Sequence, residues 1–192
     1  FQEVEENLNF DMTLFFDSYG IPISYNLFMK EKFSEKKLKE IKDLLKISKF
    51  ILVSTQESEI KSKNFISPIL FENLDLEIQK EILKDTKWKV IERDIETDEI
   101  LEKDKIIDID DNLKLYVYWA RKRAFKDYME KNNRNGYLYL ITDEESLEAE
   151  EISNIFQHTW NIEDKFKITD VDFSEKHLHG HFTLCYICLC II

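Results

Sequence analysis

Residues 155–170 read Ile155-Phe-Gln-His-Thr-Trp-Asn-Ile-Glu-Asp-Lys-Phe-Lys-Ile-Thr-Asp170. At helical spacing Ile155, Trp160, Ile162, Phe166 and Ile168 form an apolar stripe with polar residues around it, which predicts an amphipathic helix. Phe156, Trp160, Glu163 and Lys167 fall at i, i+4, i+7 and i+11 and so share one flank. A carboxylate beside aromatic rings can be held in one rotamer and partly desolvated, the environment that a metal-binding or catalytic acid needs. The same pattern also describes a solvated glutamate on a surface helix.

Working outward, the chain has 192 residues, of which 43% are hydrophobic and 13% aromatic, enough for one domain with a substantial core. Only three glycines and two prolines are present, so tight turns fall to Asn, Asp and Ser. The net charge of −12 disfavours a polyanionic partner unless cations are gathered locally. One gathering exists. Between Lys114 and Arg134 seven cations, including Arg121, Lys122, Arg123 and Lys126, face two acids, a local excess of five. This is either a solvated helix face or a phosphate-binding one.

No apolar run reaches the roughly 18 residues of a membrane span. The acidic Phe1–Phe10 segment lacks the basic-then-apolar order of a signal peptide, and the absence of an initial Met suggests a fragment or trimmed chain. All three cysteines lie in the last eight residues, which is no spaced disulfide framework, so a reducing, cytoplasmic location is expected.

Along the chain, Phe10–Phe16 and Ile21–Phe28 predict an antiparallel hairpin turning at Asp17-Ser-Tyr-Gly20. Ser34 caps a helix whose stripe is Leu38, Ile41, Leu44 and Leu45. Lys49–Ser54 and Phe65–Leu70 predict strands, and Asp75 caps a helix to Leu83. Trp88–Ile95, Lys105–Ile109 and Leu113–Tyr118 predict further strands. The Asp108–Asn112 turn lacks the spacing and closing Glu of a calcium loop. Trp119–Lys131 predicts a basic helix stopped at Asn132–Gly136; Tyr137–Thr142 predicts a strand, and Asp143 or Ser146 the cap of the next helix. The order predicts a single α/β domain over residues 1–192, with a β-rich insertion at about residues 60–115.

The closing segment offers six zinc-ligand types, His177, His179, His181, Cys185, Cys188 and Cys190. They are not two separated pairs around a turn, and the cysteines sit in an apolar run where thiols pack as small hydrophobes, so a buried helix is expected. No Gly-x-Ser-x-Gly motif or Gly-rich phosphate loop is present. Asp11, Asp17 and Glu163 remain as carboxylates that a fold could bring together around divalent metal.

Several segments resemble bacterial insertion-sequence transposases of the DDE class. Phe15-Phe-Asp-Ser-Tyr-Gly-Ile-Pro-Ile-Ser-Tyr-Asn-Leu-Phe28 is similar to that family's Asp-x-x-Gly-Ile-Pro-Ile-x-Tyr-x-Leu-Phe hairpin. Val117-Tyr-Trp-Ala-Arg-Lys-Arg-Ala124 resembles its Tyr-Trp-Ser-x-Lys-Arg-Ala stretch, Ile155–Glu163 its Ile-Tyr-Arg-x-x-Trp-x-Ile-Glu block, and His181-Phe-Thr-Leu-Cys-Tyr-Ile187 its closing His-Phe-x-x-Cys-Phe-Ile. The resemblance implies an RNase H-like mixed sheet with flanking helices and the β-rich insertion before the last catalytic helix. It implies metal-dependent cleavage and transfer of DNA strands at transposon ends, two Mg2+ ions held by Asp, Asp and Glu, and Glu163 as the third acid. It also admits a homodimer.

The sequence departs from the family at the other two acids. The first belongs upstream of the hairpin. The second falls at Thr55, with Glu57 two residues on; Gln157 and Asp170 replace the family's Arg and Lys. One carboxylate cannot hold two magnesium ions. The expectation is therefore a degenerate or truncated transposase with little or no strand transfer. The alternatives are an inert DNA-binding remnant that uses Arg121, Lys122, Arg123 and Lys126, or an acidic protein-interaction module.

Overall fold

The computed structural model describes residues 10–16, 22–29, 34–46, 50–54, 64–166 and 175–191. They fall into two compact units. One draws on the chain up to Ser48 and from Trp160 onward; the other is the continuous stretch Lys49–Thr159. Expectations that rest on Asp17, Thr55, Glu57 or Asp170 lie outside the described residues.

In the first unit, β1 (Phe10–Phe16) and β2 (Pro22–Met29) form the expected antiparallel hairpin, with Phe10 opposite Met29, Leu14 opposite Tyr25, and an irregularity at Phe15/Phe16. Helix α1 (Glu35–Leu45) starts at Ser34, whose hydroxyl accepts the Lys37 N–H at 3.4 Å. It ends at Lys46, which takes a left-handed conformation. Leu38 and Ile41 are buried, but Leu44 is exposed rather than part of the buried stripe, because it lies on the flank of the helix away from them. The last helix of the chain, Glu175–Ile191, lies against β2.

The second unit is a six-stranded mixed sheet. Its strands are β3 (Leu52–Val53), β4 (Phe65–Pro68), β5 (Lys89–Arg93), β6 (Ile100–Asp108), β7 (Lys114–Ala120) and β8 (Tyr137–Thr142), in spatial order β3-β4-β8-β7-β6-β5. The β3–β4 pair is parallel and every other pair antiparallel. The strands of the region expected as an insertion, β4, β5 and β6, thus share one sheet with β3, β7 and β8. Central β7 is buried along nearly its whole length, which explains its apolar run Leu115-Tyr-Val-Tyr-Trp-Ala120. Edge strand β5 is exposed throughout and carries Lys89, Glu92 and Arg93, charges that discourage further strand pairing.

Each face of the sheet has its own core. One joins Ile66, Tyr116, Tyr118, Leu138 and Leu140 to Ile152 and Phe156 of α4 (Ala149–Phe166). The other joins Ile107, Leu115 and Val117 to Leu74 and to Ile82 of α2 (Leu76–Leu83), with Phe71, Tyr137 and Tyr139 packed against them. Asp75 occupies the N-cap position of α2, but its side chain accepts no cap hydrogen bond. The buried Lys105 closes the other end of that helix: its Nζ donates to the Glu81 carbonyl at 2.6 Å and the Lys84 carbonyl at 3.3 Å.

Three local expectations are corrected. Strand β6 begins at Ile100, five residues earlier than the apolar pattern indicates, because Glu102, Lys103 and Asp104 pair with both β5 and β7 despite their charged side chains. Trp119 and Ala120 belong to β7, so the basic helix α3 spans only Arg121–Met129; Trp119 pairs with Lys103 and Tyr137 across the sheet. Neither Asp143 nor Ser146 caps α4. The Asp143 carboxylate instead accepts the N–H groups of Asn64 (3.0 Å) and Phe65 (2.8 Å), and Ser146 bonds to Glu144. The start of α4 is held by Glu151, whose carboxylate accepts the Glu148 N–H at 2.9 Å.

Candidate functional site

Helix α3 carries the four cations singled out as DNA contacts. It follows β7 directly, and its position is set by the turn that leads into β8. There Gly136 has φ +87°, and a Cβ at that position would come within 2.7 Å of the Ala124 Cβ and 2.8 Å of the Ala120 carbonyl oxygen. The Gly136 carbonyl accepts the Ala120 N–H at 3.2 Å, while the Gly136 N–H donates to the buried Asp127 carboxylate at 2.8 Å. Asp127 also accepts the Asn132 N–H at its carbonyl, at 2.7 Å. A glycine with no Cβ to clash, and a carboxylate facing it, lock the helix to the sheet.

This anchoring turns Arg123, Ala124 and Asp127 inward, and the cations separate accordingly. Arg123 is half-buried; burial holds its guanidinium below the ordinary value, opposed by the nearby Asp127 carboxylate. Arg121, Lys122 and Lys126 are exposed. Arg121 makes a short ion pair with Glu99, and Lys126 lies 3.9 Å from Glu130, both in solvent and therefore easily exchanged for another anion.

The outward face also carries what the sequence reading missed. Phe125, Tyr128 and Met129 are 67%, 79% and 65% exposed. At 100° per residue, Tyr128, Arg121, Phe125, Met129, Lys122 and Lys126 follow one another around a single arc of the helix. Apolar residues at i, i+3 and i+4 ordinarily mark a buried stripe. Here the polarity is inverted: a carboxylate and a guanidinium face the protein, and aromatic rings face water. The signal that could have revealed it is Asp127, whose placement opposite Gly136 fixes the inward side.

Glu163 lies on α4, and its side chain is outside the described residues, as are those of His177, His179 and Cys190. The last helix, α5 (Glu175–Ile191), is not the wholly buried segment expected: Phe182 is buried, whereas Leu184, Ile187 and Cys188 are exposed. The Cys185 Sγ lies 3.6 Å from the His181 Nε2, one helical turn away. Among the described residues no three His, Cys, Asp or Glu side chains come together as a metal site. Also among these residues, no helix is long and apolar enough to cross a membrane.

Comparison with protein-family models, with curated proteins and with solved structures gives no match.

Proposed function

We propose that the chain is a DNA-binding domain of DDE-transposase descent that engages transposon-type DNA through α3 and performs little or no strand transfer. The observation that carries the proposal is the delivery of Arg121, Lys122 and Lys126 to solvent on one rigidly anchored helix in a protein otherwise strongly acidic. Such a helix supplies local phosphate contacts without requiring a basic protein. The likeness of residues 15–28, 117–124, 155–163 and 181–187 to the transposase segments supports the descent. A mixed sheet with α4 on one face and α2 on the other supports reading the sheet unit as a remodelled RNase H-like core.

The residues present do not fit a two-magnesium centre. The second acid's position is occupied by Thr55, and a threonine hydroxyl is a far weaker ligand than a carboxylate. Glu163 stands at the third acid's position by that likeness. No chemical step is assigned to Glu163.

The test is the binding of a labelled DNA duplex over a range of salt concentrations. Binding at low salt is expected, and replacing Arg121 and Lys122 by Ala should reduce the slope of log K against log salt by about two. Absence of binding at low salt would remove the reading. Magnesium- or manganese-dependent nicking that is abolished by Glu163→Gln would show that catalysis persists.

A further inference from the structure

The rings of Phe125 and Tyr128 are exposed on α3. Phe125, Tyr128 and Met129 are exposed on the same arc of the helix as Arg121, Lys122 and Lys126, away from the inward-facing Arg123 and Asp127. Duplex phosphates need the cations but offer nothing for the rings, because the bases are stacked inside. Unpaired strands offer both a phosphate backbone for the cations and planar faces for the rings. We infer that α3 is a stacking platform for single-stranded DNA, with Phe125 and Tyr128 against unpaired bases and Arg121, Lys122 and Lys126 along the backbone. The inference deepens the proposed DNA function and rests on it.

Charge separates this occupant from the others. A docking apolar helix would leave the three cations facing apolar surface or compensated only by Glu99 and Glu130. A single strand satisfies cations and rings together. The Glu99–Arg121 pair lies in solvent, so the guanidinium can exchange a carboxylate for a phosphate without being buried first.

The experiment measures the affinity of the full chain for a labelled oligothymidylate and for a duplex of equal length at the same low salt concentration. Tighter binding of the single strand is expected. Phe125→Ala and Tyr128→Ala should each weaken single-strand binding about tenfold and leave duplex binding within about twofold. The double change Arg121→Ala with Lys122→Ala should weaken both. All four positions are exposed, and unchanged thermal unfolding verifies that each variant folds. Duplex binding with no single-strand preference, and no effect of the ring substitutions, would overturn this inference while leaving the DNA function standing. No binding to either would overturn both. A preference for RNA of matching sequence, or a concentration-dependent dimer abolished by Phe125→Ala together with loss of any strand preference, would also overturn it.

Discussion

The Asp127 carboxylate and the Gly136 N–H meet at 2.8 Å, from the last turns of α3 to the turn before β8, and this contact helps tie the inward side of the basic helix to the sheet. The same carboxylate also lies near the half-buried Arg123 and opposes the effect of burial on its guanidinium.

The turn should therefore be sensitive to very small changes. Gly136→Ala places a methyl group against Ala124 and the Ala120 carbonyl in a left-handed backbone. A loss of at least about 2 kcal/mol is expected in urea unfolding. Asp127→Ala should cost about as much, because it leaves a buried N–H unsatisfied and Arg123 uncompensated.

Asp143 provides a second contrast. Its carboxylate is the acceptor for two backbone N–H groups at the start of β4, one of them on Asn64, which has positive φ. Asp143→Ala should destabilise the protein by about 2 kcal/mol, whereas Ser146→Ala, in an exposed turn, should change stability by less than about 0.5 kcal/mol. Equal effects in chemical unfolding would refute the assignment.

The Tyr116 hydroxyl is buried and, among the described residues, makes no hydrogen bond of good geometry; burial pushes its ionisation well above the ordinary tyrosine range, opposed only weakly by the nearby Ser153 side chain. An unpaired buried hydroxyl costs stability. Tyr116→Phe keeps the ring stacked on Tyr118 and removes the oxygen, so a gain of up to about 1 kcal/mol is expected by thermal or urea unfolding. A marked loss would mean that the hydroxyl is satisfied after all.

Asp104 yields a pH prediction. It is buried on β6, and desolvation raises its pKa above the ordinary 3.8, with Lys89 acting in the opposite direction. The folded state thus holds the proton more tightly than the unfolded state. The penalty of ionising the buried carboxyl is absent below pH 3.8, grows as pH rises toward the folded pKa, and is fully present above it. Asp104→Asn should therefore be more stable than the parent at neutral pH, with the difference vanishing as pH falls below the ordinary value. A difference that grows on acidification would contradict the desolvated environment.

Much of the fold was legible because its signals are local. Ser34 caps α1 where the hydroxyl precedes the periodic residues, Tyr137–Thr142 alternates and does form β8, and the Asp108–Asn112 turn closes through the Asp110 side chain accepting the Asn112 N–H. What escaped depends on partners distant in sequence. Asp143 looks like a helix cap until Phe65, 78 residues away, is brought to it. The charged start of β6 looks like a loop until β7 pairs with it. The candidate interface was half legible: the cations of α3 could be counted, but the inward turn of Arg123 and the outward turn of Phe125 and Tyr128 follow from Gly136, which the residue pattern marks only as a helix stop.

The division of the chain into one continuous and one discontinuous unit has a bearing on biosynthesis. A ribosome releases all of Lys49–Thr159 before the segment from Trp160 onward exists outside the exit tunnel. The sheet can close co-translationally, while the hairpin and α1, which precede it, complete their unit only with the segment that follows it. Nascent chains stalled before the segment from Trp160 has emerged should therefore resist proteolysis across the sheet while remaining cleavable in the hairpin and α1 that precede it.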